Sequence, residues 1–169
     1  FSLEDVKLDD DFLELLPESM NQAVSRLNPD GHINFTAELD KESYTEPPDY
    51  RVTVNCLGNN IQLPDFPKPL RDITGTLIVE TGKVELDDVV VSISDVDPKM
   101  ENIAVVKLNG DLVLDGDKLT DGLLQLTTDE ITFNERLKQI LPQQAISLYD
   151  KINPVGSFGL DMNDVKVHF

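Results

Sequence analysis

Residues 1–36 of this chain return, degenerate but in register, 125 residues later, and that repetition limits the possible folds more than any other feature. Between Phe12 and Leu27 the apolar positions are Phe12, Leu15, Leu16, Met20, Ala23, Val24 and Leu27, which lie on one face of a 3.6-residue period. The same offsets later carry Leu137, Ile140, Leu141, Ala145, Leu148, Tyr149 and Ile152. Punctuation agrees: Leu16-Pro17 matches Leu141-Pro142, Asn28-Pro29 matches Asn153-Pro154, and Gly31 matches Gly156. The flanks match as well, with Phe1, Val6 and Leu8 against Leu126, Ile131 and Phe133, and Ile33 and Phe35 against Phe158 and Leu160.

Each copy therefore reads as a helix between strands. Pro17 and Pro142 lack an N–H and hold φ near the helical value, so each starts a helical segment or kinks a longer one. The second proline of each copy keeps the preceding asparagine out of the α region and ends the helix. Asp9-Asp10-Asp11 supplies an N-cap and charge favourable to the first turn. The expected division is residues 1–11 as the end of a preceding repeat's sheet, 12–136 as one full unit, and 137–169 as the start of the next. Within these, helices are expected over 12–28 and 137–153, a β-meander over 32–133, and a strand over 157–168.

Between the helices the period changes to two. Ile33, Phe35, Ala37 and Leu39 alternate with polar residues, as do Tyr50, Val52, Val54 and Cys56, which implies strands with one buried and one wet face. Gly58-Asn59-Asn60 reads as a turn, and the prolines from Pro64 to Pro69 interrupt pairing. Gly75 to Val79 followed by Lys83-Val84 is echoed by Gly110 to Leu114 followed by Lys118-Leu119, with Thr81-Gly82 and Asp115-Gly116 as hairpin turns. Val89, Val91 and Ile93, then Leu124 and Leu126, then Ile131 and Phe133 complete eight to ten short strands. The fold class expected is mainly β with two short helical segments: an antiparallel, strongly curved meander with helix caps, or alternatively a β-sandwich closed by a helix. Burying Leu16 or Leu141 would make Leu→Ala cost about 2–5 kcal/mol at either site.

The residues point away from catalysis. His32 and His168 are the only imidazoles and lie apart, in a turn and at the chain end. No nucleophile elbow, phosphate loop, dinucleotide fingerprint or zinc-protease helix is present. Asp111, Asp115, Asp117 and Asp121 cluster around one turn, but their spacing does not fit a calcium loop. Cys56 alone supports neither a disulfide framework nor a multi-cysteine metal site, and sits in an apolar strand register. No cofactor or metal is expected. With 14 Lys and Arg against 32 Asp and Glu, a net charge of -18 repels phosphate backbones, so nucleic acid is excluded as a partner. Asn34-Phe35-Thr36 fits a glycosylation sequon, which matters only in a secreted eukaryotic chain.

Ile73-Thr74-Gly75-Thr76-Leu77-Ile78-Val79, then Gly82 to Val89, resembles the recurrent unit of AsmA-like and TamB-like proteins of bacterial envelopes, and Asn109 to Gly116 repeats its first half. In that unit an apolar residue and a glycine open a strand, a turn glycine reverses it, and an apolar strand with polar flanks follows. The resemblance implies a β-groove whose concave apolar face holds acyl chains, in a periplasmic or envelope protein serving lipid transport or outer-membrane biogenesis. It implies neighbouring repeats of the same chain and phospholipid as partners. The face expected to line the groove is Val52, Val54, Leu77, Val79, Val91, Ile93, Leu112, Leu114, Leu124 and Leu126. The rival reading is a structural or protein-interaction module with no lipid.

Overall fold

The computed structural model describes residues 1–14, 21, 24–40, 49–63, 66–94, 101–116 and 118–168. Eight strands form one open antiparallel sheet in sequence order: β1 (Ser2–Lys7), β2 (His32–Asp40), β3 (Asp49–Ile61), β4 (Leu70–Glu80), β5 (Lys83–Ile93), β6 (Ala104–Asp115), β7 (Lys118–Thr132) and β8 (Ser157–His168). Among the described residues, the helices α1 (Asp10–Glu14), between β1 and β2, and α2 (Glu135–Lys138) and α3 (Gln143–Ile152), between β7 and β8, are short.

The strands are longer and fewer than the alternation suggested, because they run through positions where the period breaks. Four tetrads, Leu3-Glu4-Asp5-Val6, Leu70-Arg71-Asp72-Ile73, Leu86-Asp87-Asp88-Val89 and Met162-Asn163-Asp164-Val165, place a left-handed aspartate third, with φ of 53°, 52°, 48° and 59°. Each sits where the register slips, a β-bulge that admits one extra residue and returns the flanking apolar pair to the same face. Three of the bulges are clamped from the next strand. The amides of Asp5, Asp72 and Asp88 donate to Oδ1 of Asn34, Asn60 and Asn109 at 2.9, 3.4 and 2.8 Å. Asn34, the sequon asparagine, thus has a structural task in the middle of β2.

Three local expectations are corrected. Gly58-Asn59-Asn60 is not a turn but an irregular stretch inside β3: Gly58 takes φ 88°, and Asn59, nearly buried, accepts from the Leu57 amide at 3.1 Å and donates to the His32 carbonyl at 2.9 Å. Gly75 and Gly110 do not open strands; they lie within β4 and β6, at φ 108° and 140°. A Cβ on Gly75 would stand 2.5 Å from the Asp88 carbonyl oxygen at the bulge, and one on Gly110 would stand 2.2 Å from that of Leu123. Glycine is used here for close backbone approach. The two hairpins keep the 35-residue echo for two pairs, Glu80–Lys83 with Asp115–Lys118 and Val79–Val84 with Leu114–Leu119, and then diverge by one residue.

The ends of the sheet correspond at an offset of 125. Ser2–Thr36, Leu3–Phe35, Val6–Ile33 and Lys7–His32 pair β1 with β2, and Thr127–Asp161, Thr128–Leu160, Ile131–Phe158 and Thr132–Ser157 pair β7 with β8. The Leu8 amide donates to the Gly31 carbonyl and the Phe133 amide to that of Gly156, each at 2.9 Å. Asp9 accepts from the Phe12 amide at 3.3 Å, as Asn134 does from Leu137 at 2.9 Å. Asn28 and Asn153 are both left-handed, at φ 44° and 49°, so each leaves the α region by the conformation asparagine tolerates rather than the extended one usual before proline.

The helix expected over 137–153 is two helices. Pro142, at φ -64° and ψ 153°, occupies the N-cap of α3, and α2 ends before it. In the first copy Leu15, Leu16, Pro17, Met20 and Ala23 lie outside the described residues. Among the described residues of that copy, Leu13 is buried and Phe12 half-buried. Two apolar clusters organise the sheet. Ile73, Val89 and Val91 gather Cys56, Ile61, Leu70, Leu77, Leu86 and Leu108 near its middle, and Ala104, Ile131 and Leu137 gather Ile93, Ile140, Leu141 and Tyr149 under α2 and α3. Leu148 and Ile152 are 59% and 63% exposed, so the expected apolar stripe of α3 is only partly used.

Candidate ligand-binding face

Residues directly opposed in an antiparallel pair point to the same face, so the register alone locates the apolar positions. One row runs Leu3, Phe35, Val54, Leu77, Leu86, Gly110, Leu124, Val165 across all eight strands. The next runs Ala37, Val52, Val79, Val84, Leu112, Gly122, Val167. Beyond the bulge in β5, Val89 faces Leu108 and Leu126, Val91 faces Val106, and Ile93 faces Ala104. All ten residues expected to line a groove therefore share one face, Leu114 by its two-residue step from Leu112. Val91 and Leu112 are buried, and the other eight are half-buried.

The set expected to line the groove omitted Phe35, Ile73, Val84, Leu86, Val89 and Leu108, which lie on the same face. The bulges hid several of them: a spacing of three between Leu86 and Val89 breaks the alternation that marks a strand face. Among the described residues no large side chain is sealed completely from solvent. A sheet face packed under a second layer would ordinarily contain such residues.

The opposite face is mixed: it carries the sheet's ion pairs, and with them Leu57, Ile78, Val90, Val105, Val113 and Leu123. Lys83 pairs with Asp111 at 2.9 Å and Glu85 at 3.1 Å, Arg51 with Glu80, and Lys107 with Asp129 at 3.8 Å, all at the surface. The hydrogen bonds that its ammonium donates to Asp111 and then Glu85 push the Lys83 pKa up from its ordinary value. The aspartates around the β6–β7 hairpin are divided among separate partners, with Asp121 within 2.6 Å of His168 and Asp111 on Lys83. Asp117 lies outside the described residues. Among the described residues no group of three or more potential metal-binding side chains converges, and no helix is long and apolar enough to cross a membrane.

Cys56 is a natural reporter of the apolar face, since it opposes Ile33 and Gly75 beside the central cluster. Burial pushes its thiol up from the ordinary value, which lowers the thiolate fraction at neutral pH. We expect an uncharged thiol reagent at pH 8 to modify the folded chain at least about 10-fold more slowly than the urea-unfolded chain. Equal rates would place Cys56 on the wet face and contradict the register.

Comparison of the chain with protein-family models, curated proteins and solved structures finds no match.

Proposed function

We propose that this chain is a non-catalytic module of a larger AsmA-like envelope protein, with residues 12–136 as one repeat unit, and that its apolar sheet face shields lipid acyl chains. The observation that carries the reading is the continuity of one sheet face: apolar rows cross the strands, half-open to solvent, while the charged side chains and ion pairs are kept to the other face. A continuous apolar face left half-open to solvent is the kind of surface that takes a ligand or partner. Eight strands spaced about 4.8 Å apart span roughly 34 Å, against about 15 Å for the acyl chains of one leaflet, half of a bilayer core. Each methylene transferred from water to such a face is worth about 0.8 kcal/mol. The charged face would be solvated in a periplasmic bridge.

A structural or protein-interaction module without lipid is a second reading, favoured by the open edges of β1 and β8. Native mass spectrometry of the chain purified without detergent or solvent extraction separates the two. The lipid reading expects phospholipid adducts that a Leu77→Asn, Leu124→Asn chain loses while keeping its β-sheet circular dichroism. Bare protein from several preparations would leave the interaction module.

A further inference from the structure

At the β8 edge the second copy exposes what the first copy covers. Leu27 is half-buried and its counterpart Ile152 is 63% exposed; Ile33 is 4% exposed while Phe158 is half-buried; Phe35 and Ala37 are half-buried while Leu160 and Met162 are 38% and 40% exposed. In the first copy the cover is β3. Cys56, Val54 and Val52 oppose Ile33, Phe35 and Ala37, and the strand is pinned beyond them by polar bonds. Gln62 donates its amide to the Leu27 carbonyl at 2.7 Å, Asp30 and Asn60 exchange bonds of 2.9 and 2.8 Å, and the Asn59 side chain donates to the His32 carbonyl at 2.9 Å.

The glycines record the same difference. A Cβ on Gly31, at φ 118°, would meet Asn59 Nδ2 at 2.8 Å, so β3 needs a glycine there. Gly156 takes nearly the same conformation, φ 106°, yet a Cβ on it would meet nothing within 4 Å. The backbone is shaped for an asparagine neighbour, and the space is open.

We propose that β8 is a strand-acceptor edge whose partner is a β3-like strand: three alternating apolar residues, one further residue, then Gly-Asn-Asn. By the 125-residue offset the partner adds antiparallel, its apolar residues against Met162, Leu160 and Phe158 and its first asparagine against Gly156. Main-chain bonds supply the pairing and the alternate side chains and asparagine fix the register. This rests on the repeat-module part of the proposed function and not on the lipid.

The test uses the full chain and a fluorescein-labelled peptide of residues 49–63 with Cys56→Ser. Anisotropy should show saturable binding, and hydrogen exchange should show new protection along β8 and none along β1. Leu160→Lys with Met162→Lys, both at exposed positions, should weaken binding at least 10-fold with an unchanged melting temperature. Asn59→Leu in the peptide should weaken it by a similar factor. No binding at about 1 mM peptide, undiminished binding to the lysine variant, or protection at β1 would overturn the proposal. So would self-association of the chain through β8 that the peptide fails to compete, which would assign the edge to a second copy. Because lipid is read separately by mass spectrometry, failure of the edge and failure of the lipid reading are distinguishable.

Discussion

Gly110→Ala should destabilise the chain by roughly 2–6 kcal/mol, the sum of about 1–3 for a side chain forced into a glycine-only conformation and about 1–3 for overlap with its neighbours. Gly110 holds φ 140° in the middle of β6, and its Cβ would stand 2.2 Å from the Leu123 carbonyl oxygen and 2.9 Å from the Leu124 Cα, both main-chain atoms of the adjacent strand. Neither can move aside without parting β6 from β7. Gly116 is the control: it has positive φ, 65°, but open space around it, so Gly116→Ala carries conformational strain alone, about 1–2 kcal/mol. Urea unfolding followed by circular dichroism measures both. Equal losses would mean that the approach of β7 to Gly110 is not as close as described.

Leu137→Ala should cost about 2–5 kcal/mol. Leu137 is 3% exposed and joins α2 to the sheet through Ala104 and Ile131, with Ile140, Leu141 and Tyr149 packed around it. The Asn134 side chain fixes its position by accepting from the Arg136 and Leu137 amides, each at 2.9 Å. Leu141, half-buried, should lose less than Leu137, and Leu148, 59% exposed, should change stability by no more than about 0.5 kcal/mol. The order Leu137, Leu141, Leu148 in denaturation midpoints is the expected result. A loss at Leu148 matching that at Leu137 would show that α3 buries its outer side against something beyond this sheet.

Those helices illustrate what the sequence could and could not convey. Their place was legible, because prolines and a 3.6-residue period act locally: Pro142 starts α3 and Asn153 ends it. Which residues of the stripe would be buried was not, because that depends on the strands beneath; Leu13 is buried in α1 where the period favoured Phe12. The register sets the ten expected positions on one face, together with others that the expected set omitted. Alternation identifies a face only while the register holds, and each Φ-x-Asp-Φ tetrad shifts it by one residue. The four tetrads were present as a sequence signal, but the left-handed conformation of their aspartates depends on the neighbouring strand, whose asparagine accepts the turned amide in three of them. Gly75 and Gly110 were misread for a related reason. A glycine that opens a strand and one that admits a neighbouring backbone look alike until the neighbour is known.

If, as proposed, lipid chains lie on the apolar face of the sheet, photocrosslinking from the acyl chain will report the side chains they touch. Phospholipid carrying a diazirine near the acyl terminus would be loaded onto the chain, irradiated, and its adducts located by peptide mass spectrometry. Adducts are expected on the rows containing Val54, Leu77, Leu86 and Leu124 and on Val52, Val79 and Leu112, which the register places side by side. Adducts concentrated on the opposite face, at Thr53, Glu85 or Asp111, or the absence of adducts under conditions that label a known lipid carrier, would rule that placement out.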